Sequence, residues 1–108
     1  MYDKPKESDW KTFRGMVEEM RERYLAEQNK ALAEILSNDN LSPTEQFWEV
    51  EEKSRQIAKI LCKCLDGHTR SKMNLFMVSM LHHGLMTDED LARFSPELRE
   101  QMELLREI

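Results

Sequence analysis

The side chains best suited to chemistry concentrate in one stretch: Cys62, Cys64 and His68, followed by His82 and His83. Thiolates and imidazoles are good zinc ligands, so the first question is whether their spacing builds a site. On a helix, residues two apart point to roughly opposite sides, which splits the sulfurs of Cys62 and Cys64. The same geometry makes a disulfide between them strained, and a reducing cytosol disfavours it further. Cys64 and His68 are four apart, a workable helical pair, but Gly67 breaks the turn between them. Adjacent His82 and His83 diverge by about 100°. Neither a Cys-x-x-Cys pair nor a His-Glu-x-x-His segment is present. The expectation is therefore no metal and no cofactor. The thiols should be buried, and the histidines should sit at helix ends or on the surface, where a helix C-terminus favours positive charge.

Carboxylates are more numerous, with Glu18, Glu19, Glu22, Glu45, Glu49, Glu51 and Glu52 on two long segments. A di-metal bundle needs Glu-x-x-His pairs projecting inward, and neither long segment carries a histidine. These acids read as a solvated face paired with Arg21, Arg23, Lys53 and Arg55. Ser54, Ser71 and Ser79 lack the strand–turn–helix context of a nucleophile elbow, and no glycine-rich phosphate loop is present. No catalytic residue is assigned, and the chain is not expected to be an enzyme.

The elements that position these residues are helices. The chain has 108 residues, 34% charged and 40% hydrophobic, with three Gly, three Pro and valine only at Val17, Val50 and Val78. That composition favours helix over sheet and the length suits one domain spanning 1–108. Residues 1–7 read as a mobile, charged lead-in. Ser8 or Asp9 can cap a helix beginning at Trp10, followed by Phe13, Val17, Met20, Tyr24, Ala31 or Leu32, and Ile35 in steps of three and four. Asn38-Asp39-Asn40 turns the chain. Ser42-Pro43-Thr44-Glu45 is a capping-box signature for a second helix carrying Phe47, Val50, Ser54, Ile57, Leu61 and Cys64 or Leu65, with Trp48 widening its apolar face. The predicted fold is all-α: an antiparallel hairpin of helices at about 9–37 and 43–66. Shorter helices follow at about 70–83, 88–94 and 96–107, set off by Gly67, Gly84, Thr87 and Ser95-Pro96.

The formal charge of −5 argues against non-specific affinity for nucleic acid or anionic membranes. No apolar run approaches the ~20 residues that span a bilayer, and the polar start lacks a signal-peptide core, so a cytoplasmic protein is expected. Residues 87–96 have the cadence of a helix-turn-helix, but the second helix would present Glu97, Glu100, Glu103 and Glu107 to phosphates. A local basic patch, Lys59, Lys63, Arg70 and Lys72, keeps a dimeric nucleic-acid-binding regulator as the alternative. A metal-binding or enzymatic bundle stands behind it.

The first helix, at about 28 residues, would be roughly 42 Å long, against a radius of gyration of ~13 Å for a compact chain of this size. Something must cover the projecting stripe, and a second copy packed by two-fold symmetry is the simplest cover. The residues expected at that dimer interface are Trp10, Phe13, Val17, Met20, Tyr24, Phe47, Trp48, Val50, Ile57 and Leu61. Methionine-rich faces adapt to partner helices. Met73, Phe76, Met77 and Met80, beside the polar turn holding Gly67, His68, Arg70 and Lys72, are therefore candidates for binding another protein chain. The function expected is a small regulator, adaptor or assembly factor acting by protein–protein interaction.

Overall fold

A computed structural model describes residues 5–107. Of the expected lead-in, residues 1–4 lie outside the described residues, and Glu7 already begins a helix. Among the described residues the fold is all-α. Helix α1 runs Glu7–Leu36, α2 Pro43–Leu65, α3 Met73–His82, α4 Asp88–Leu91 and α5 Pro96–Leu105, with a 3-10 turn at Arg70–Lys72 before α3.

Local chemistry accounts for most boundaries. Ser42 Oγ accepts the Glu45 N–H at 3.1 Å while the Glu45 carboxylate accepts the Ser42 N–H at 2.9 Å, the reciprocal box that starts α2. Thr87 and Asp90 repeat the arrangement at α4. Gly84 takes φ 79° so that the Leu85 N–H can reach back to the Met80 carbonyl at 2.9 Å, closing α3 in a Schellman turn. The start of α1 differs from expectation. Its N-cap is Lys6, without a side-chain cap, and Ser8 and Asp9 lie inside the helix. Asp9 is buried and caps no end of its own helix. Its carboxylate accepts from the Ser95 N–H at 2.9 Å and the Ser95 hydroxyl at 2.6 Å. Ser95 is the N-cap of α5, so Asp9 ties the first helix to the last.

A second long-range tie replaces another expectation. Arg23, read as a partner of its neighbouring acids, instead reaches Asp90 Oδ2 at 2.5 Å and the Leu85 carbonyl at 2.7 Å. It thereby clamps the α3–α4 connection onto α1.

The core occupies one end of the molecule. Its fully buried side chains include Phe13, Met16 and Met20 of α1, Cys64 of α2, Met73, Met77 and Met80 of α3, and Leu85 and Met102. Met16, rather than Val17, is the fully covered member of the α1 stripe; Val17 is half-buried. Beyond Tyr24 in α1 and before Ile57 in α2, no residue is buried. From there the two helices cover only each other, and the molecule measures 54 × 26 × 23 Å with a radius of gyration of 16.7 Å. Short C-terminal helices thus cover the base of the hairpin, while the end closed by the 37–42 turn projects.

Candidate functional site: the end of the hairpin

The polar turn after α2 holds the residues singled out for partner binding, and the structure gives most of them structural work. Gly67 takes φ 78°, the left-handed conformation that glycine adopts without strain. His68 Nε2 donates to the Cys64 carbonyl at 2.7 Å, satisfying a free acceptor at the α2 C-terminus. Its ring stands edge-on to Phe13 and Phe76, with centroids 4.9 and 4.5 Å away. Arg70 makes a two-pronged contact with Glu7, at 2.9 and 3.3 Å, and its guanidinium lies 5.4 Å from the Trp10 ring centroid. Of the turn's candidates, Gly67, Arg70 and Lys72 are exposed and His68 is half-buried.

Met73, Met77 and Met80 have no exposed surface, and Phe76 is half-buried against the same cluster. The expected methionine groove is therefore filled by its own chain. Methionine's unbranched, polarizable side chain serves here to fill an irregular core.

The thiols also divide. Cys64 is buried, as expected, but Cys62 is exposed, because residues two apart on α2 cannot both face the core. Burial raises the pKa of Cys64, with a small opposing effect from Lys63. A hydrogen bond to Asp66 raises that of Cys62. Both are thus held as thiols rather than thiolates at neutral pH. Among the described residues, no three Cys, His, Asp or Glu side chains converge closely enough to hold a metal ion.

The expected dimer stripe splits at the edge of the core. Trp10, Phe13, Met20, Tyr24 and Ile57 are buried within their own chain, so they are not open to a second copy. Val17, Val50 and Leu61 are half-buried. Phe47 and Trp48 remain 59% and 60% exposed, and Leu36, which periodicity did not single out, is 56% exposed.

The turn at 37–42 brings Leu36, the last residue of α1, to the same depression as Phe47 of α2, and Trp48 stands beside Phe47. The Phe47 and Trp48 rings pack edge-to-face, with centroids 5.0 Å apart and planes at 87°. Phe47 and Leu36 line an open depression of about 520 Å3 with Val50, Glu51, Ser54 and Arg55. Glu51 and Arg55 pair one helical turn apart on its rim.

A larger depression, about 710 Å3, lies at the other end around Glu7, Trp10, Lys11, Arg14 and Arg70. There the chain supplies its own partners: Glu7 engages Arg70, and both Arg14 and Arg70 rest near the Trp10 face. At the hairpin end Leu36, Phe47 and Trp48 stay exposed, as do the single leucines Leu75 of α3 and Leu104 of α5 elsewhere on the surface.

No family model, curated protein or solved structure matches the chain. Among the described residues no helix is long and apolar enough to cross a membrane.

Proposed function

We propose that this chain is a non-enzymatic protein–protein interaction module, acting as a small regulator, adaptor or assembly factor, and that it docks another chain on the turn end of the α1–α2 hairpin. The observation that carries this reading is the exposure of Phe47 and Trp48, adjacent aromatics more than half open to water on a segment outside the core. Large aromatics are the anchors of protein interfaces. A rigid two-helix projection holds them where a partner meets no obstruction from the rest of the fold.

The nucleic-acid alternative gains little support. Arg70, central to the expected basic patch, is already engaged by Glu7 and stacked near Trp10. The remaining cations lie on a chain with a net charge of −5.

The test is site-specific photo-crosslinking in the cells that make the protein. A benzophenone amino acid replaces Trp48 in one version and exposed Lys11, at the opposite end, in another. The expected result is an adduct from position 48 alone, with a chain that then binds the purified protein with a Kd of micromolar or tighter. Phe47→Asp should abolish that binding. No adduct, or the same adducts from both positions, would overturn the reading.

A further inference from the structure

We infer that the methionine-lined face of α3 is a second docking site, held shut by the chain's own last helix, and that it opens to an amphipathic helix of another protein patterned like α5. The site lies away from the hairpin turn and stands or falls independently of it.

Fit is the first ground. α5 sets Leu98, Met102 and Leu105 at i, i+4 and i+7, the anchor spacing of a helix laid in an apolar groove. Leu98 and Met102 are buried in the same cluster as Met73, Met77 and Met80, and Leu105 is half-buried against it. α3 is the helix that α5 chiefly packs against. The opposite face of α5, with Glu97, Glu100 and Glu103, is exposed. The resident helix therefore displays the pattern that the groove accepts, and methionine side chains re-pack readily around a different helix.

The second ground is how lightly α5 is held. A helix of 10 residues is too short to be stable alone, and ordering its backbone opposes the few contacts it makes. The Lys6–Glu97 and Arg106–Asp88 pairs, at 3.1 and 2.7 Å, lie near the surface, where ion pairs contribute little. The buried tie, Asp9 with Ser95, sits at the N-cap of α5. Phe94, buried one residue earlier, stays in the core when α5 lifts, which makes Ser95 the hinge. The docked state also carries a cost. Among the described residues, the buried side-chain polar atoms without a hydrogen-bond partner are Asn74 Oδ1 of α3 and Arg99 Nε of α5. Folded chains satisfy nearly all such atoms, so a contact with one orphan on each of its two helices is imperfect. Opening returns Arg99 to water.

The test begins with amide hydrogen exchange, followed by NMR, on the full native chain. The result expected is that the Arg99–Arg106 amides open together, with protection at least roughly tenfold below that of Met16–Tyr24 and Met77–Met80. The probe for the groove is a fluorescein-labelled peptide of residues 95–107, read by anisotropy. Affinity for a site that is open part of the time falls by the open fraction. Ser95→Ala/Arg106→Ala, which loosens both ends of α5, should therefore bind the peptide at least roughly tenfold more tightly than the native chain does, with a Kd on the order of hundreds of micromolar. The same peptide carrying Met102→Asp should bind neither chain. Equal binding to both chains, no binding to the variant, or α5 protection equal to that of α1 and α3 would overturn the inference. A sizing column that shows the variant as a dimer exchanging α5 between copies would give the groove to a second copy, and would overturn it too.

Discussion

Replacing Asp90 with Ala removes two supports at once. The α4 capping box loses its carboxylate, which accepts the Thr87 N–H at 3.0 Å; losing such a cap costs about 1 kcal/mol. Arg23 loses an ionised acceptor at 2.5 Å, and hydrogen bonds to charged groups contribute about 1.5–3 kcal/mol. The Arg23 side chain is one-third exposed, so water replaces part of that bond, and its contact with the Leu85 carbonyl remains. The expected destabilisation is about 2–4 kcal/mol, a large share of the ~5–15 kcal/mol typical of a domain. Asp90→Asn keeps a neutral acceptor for the Thr87 N–H and should cost about half as much. Urea unfolding followed by far-ultraviolet circular dichroism at pH 7 measures both. A double-mutant cycle with Arg23→Met isolates the pair.

The pH dependence has a definite sign. Burial by itself would raise the Asp90 pKa, but the Thr87 N–H, the Arg23 guanidinium and the Thr87 hydroxyl together outweigh it and hold the value below the ordinary 3.8. A carboxyl depressed in the folded state contributes stability that is fully present above its unfolded pKa. That stability is lost as pH falls through the folded one. The advantage of the native chain over Asp90→Asn should therefore be constant near neutrality and shrink as pH drops below about 4. A loss under about 1 kcal/mol for Asp90→Ala, or an advantage that grows with acidification, would refute the clamp.

Three further outcomes follow from the packing. Phe13→Ala, at a side chain with no exposed surface, should cost about 3–5 kcal/mol in urea unfolding; a loss below about 1 kcal/mol would contradict its place in the core. Glycine substitutions should diverge in sign. Gly84→Ala forces a side chain into φ 79° and should destabilise by about 1–2 kcal/mol. Gly15→Ala lies within α1 with nothing within 4 Å of the added carbon and should stabilise by about 0.5–1 kcal/mol. An aromatic disulfide reagent at pH 7 should titrate Cys62 alone in the native protein and Cys64 only on unfolding, since Cys62 is exposed and Cys64 buried; equal rates would place Cys64 at the surface.

Sequence-local signals foretold the elements well. Ser42 with Glu45, Thr87 with Asp90, and the left-handed Gly67 and Gly84 act within one or two turns of the chain, so their meaning can be read without knowing the fold. Contacts across the chain were opaque for the opposite reason. Asp9 looked like a cap for its own helix because nothing local says that Ser95, 86 residues away, will arrive beside it. Arg23 was given to its helical neighbours when its partner is 67 residues distant. The heptad rhythm of α1 and α2 showed which residues share a face but not what covers that face. Periodicity therefore gives Tyr24 to the apolar stripe of the first helix and Phe47 to that of the second, whereas the structure buries Tyr24 and exposes Phe47. Leu36, four residues after Leu32, has a readable helical spacing but is the last residue of α1, where stripe patterns end.

The most direct test of the central claim, that the hairpin-end aromatics lie outside the core and are available to another chain, is the unfolding free energy of Phe47→Ser/Trp48→Ser. With about 40% of each side chain covered, loss of the pair should cost at most about 2 kcal/mol, with unchanged helicity and an unchanged denaturant slope. A loss of about 5 kcal/mol or more, the scale of removing a buried aromatic such as Phe13, would show that these side chains hold the fold together and would contradict the claim.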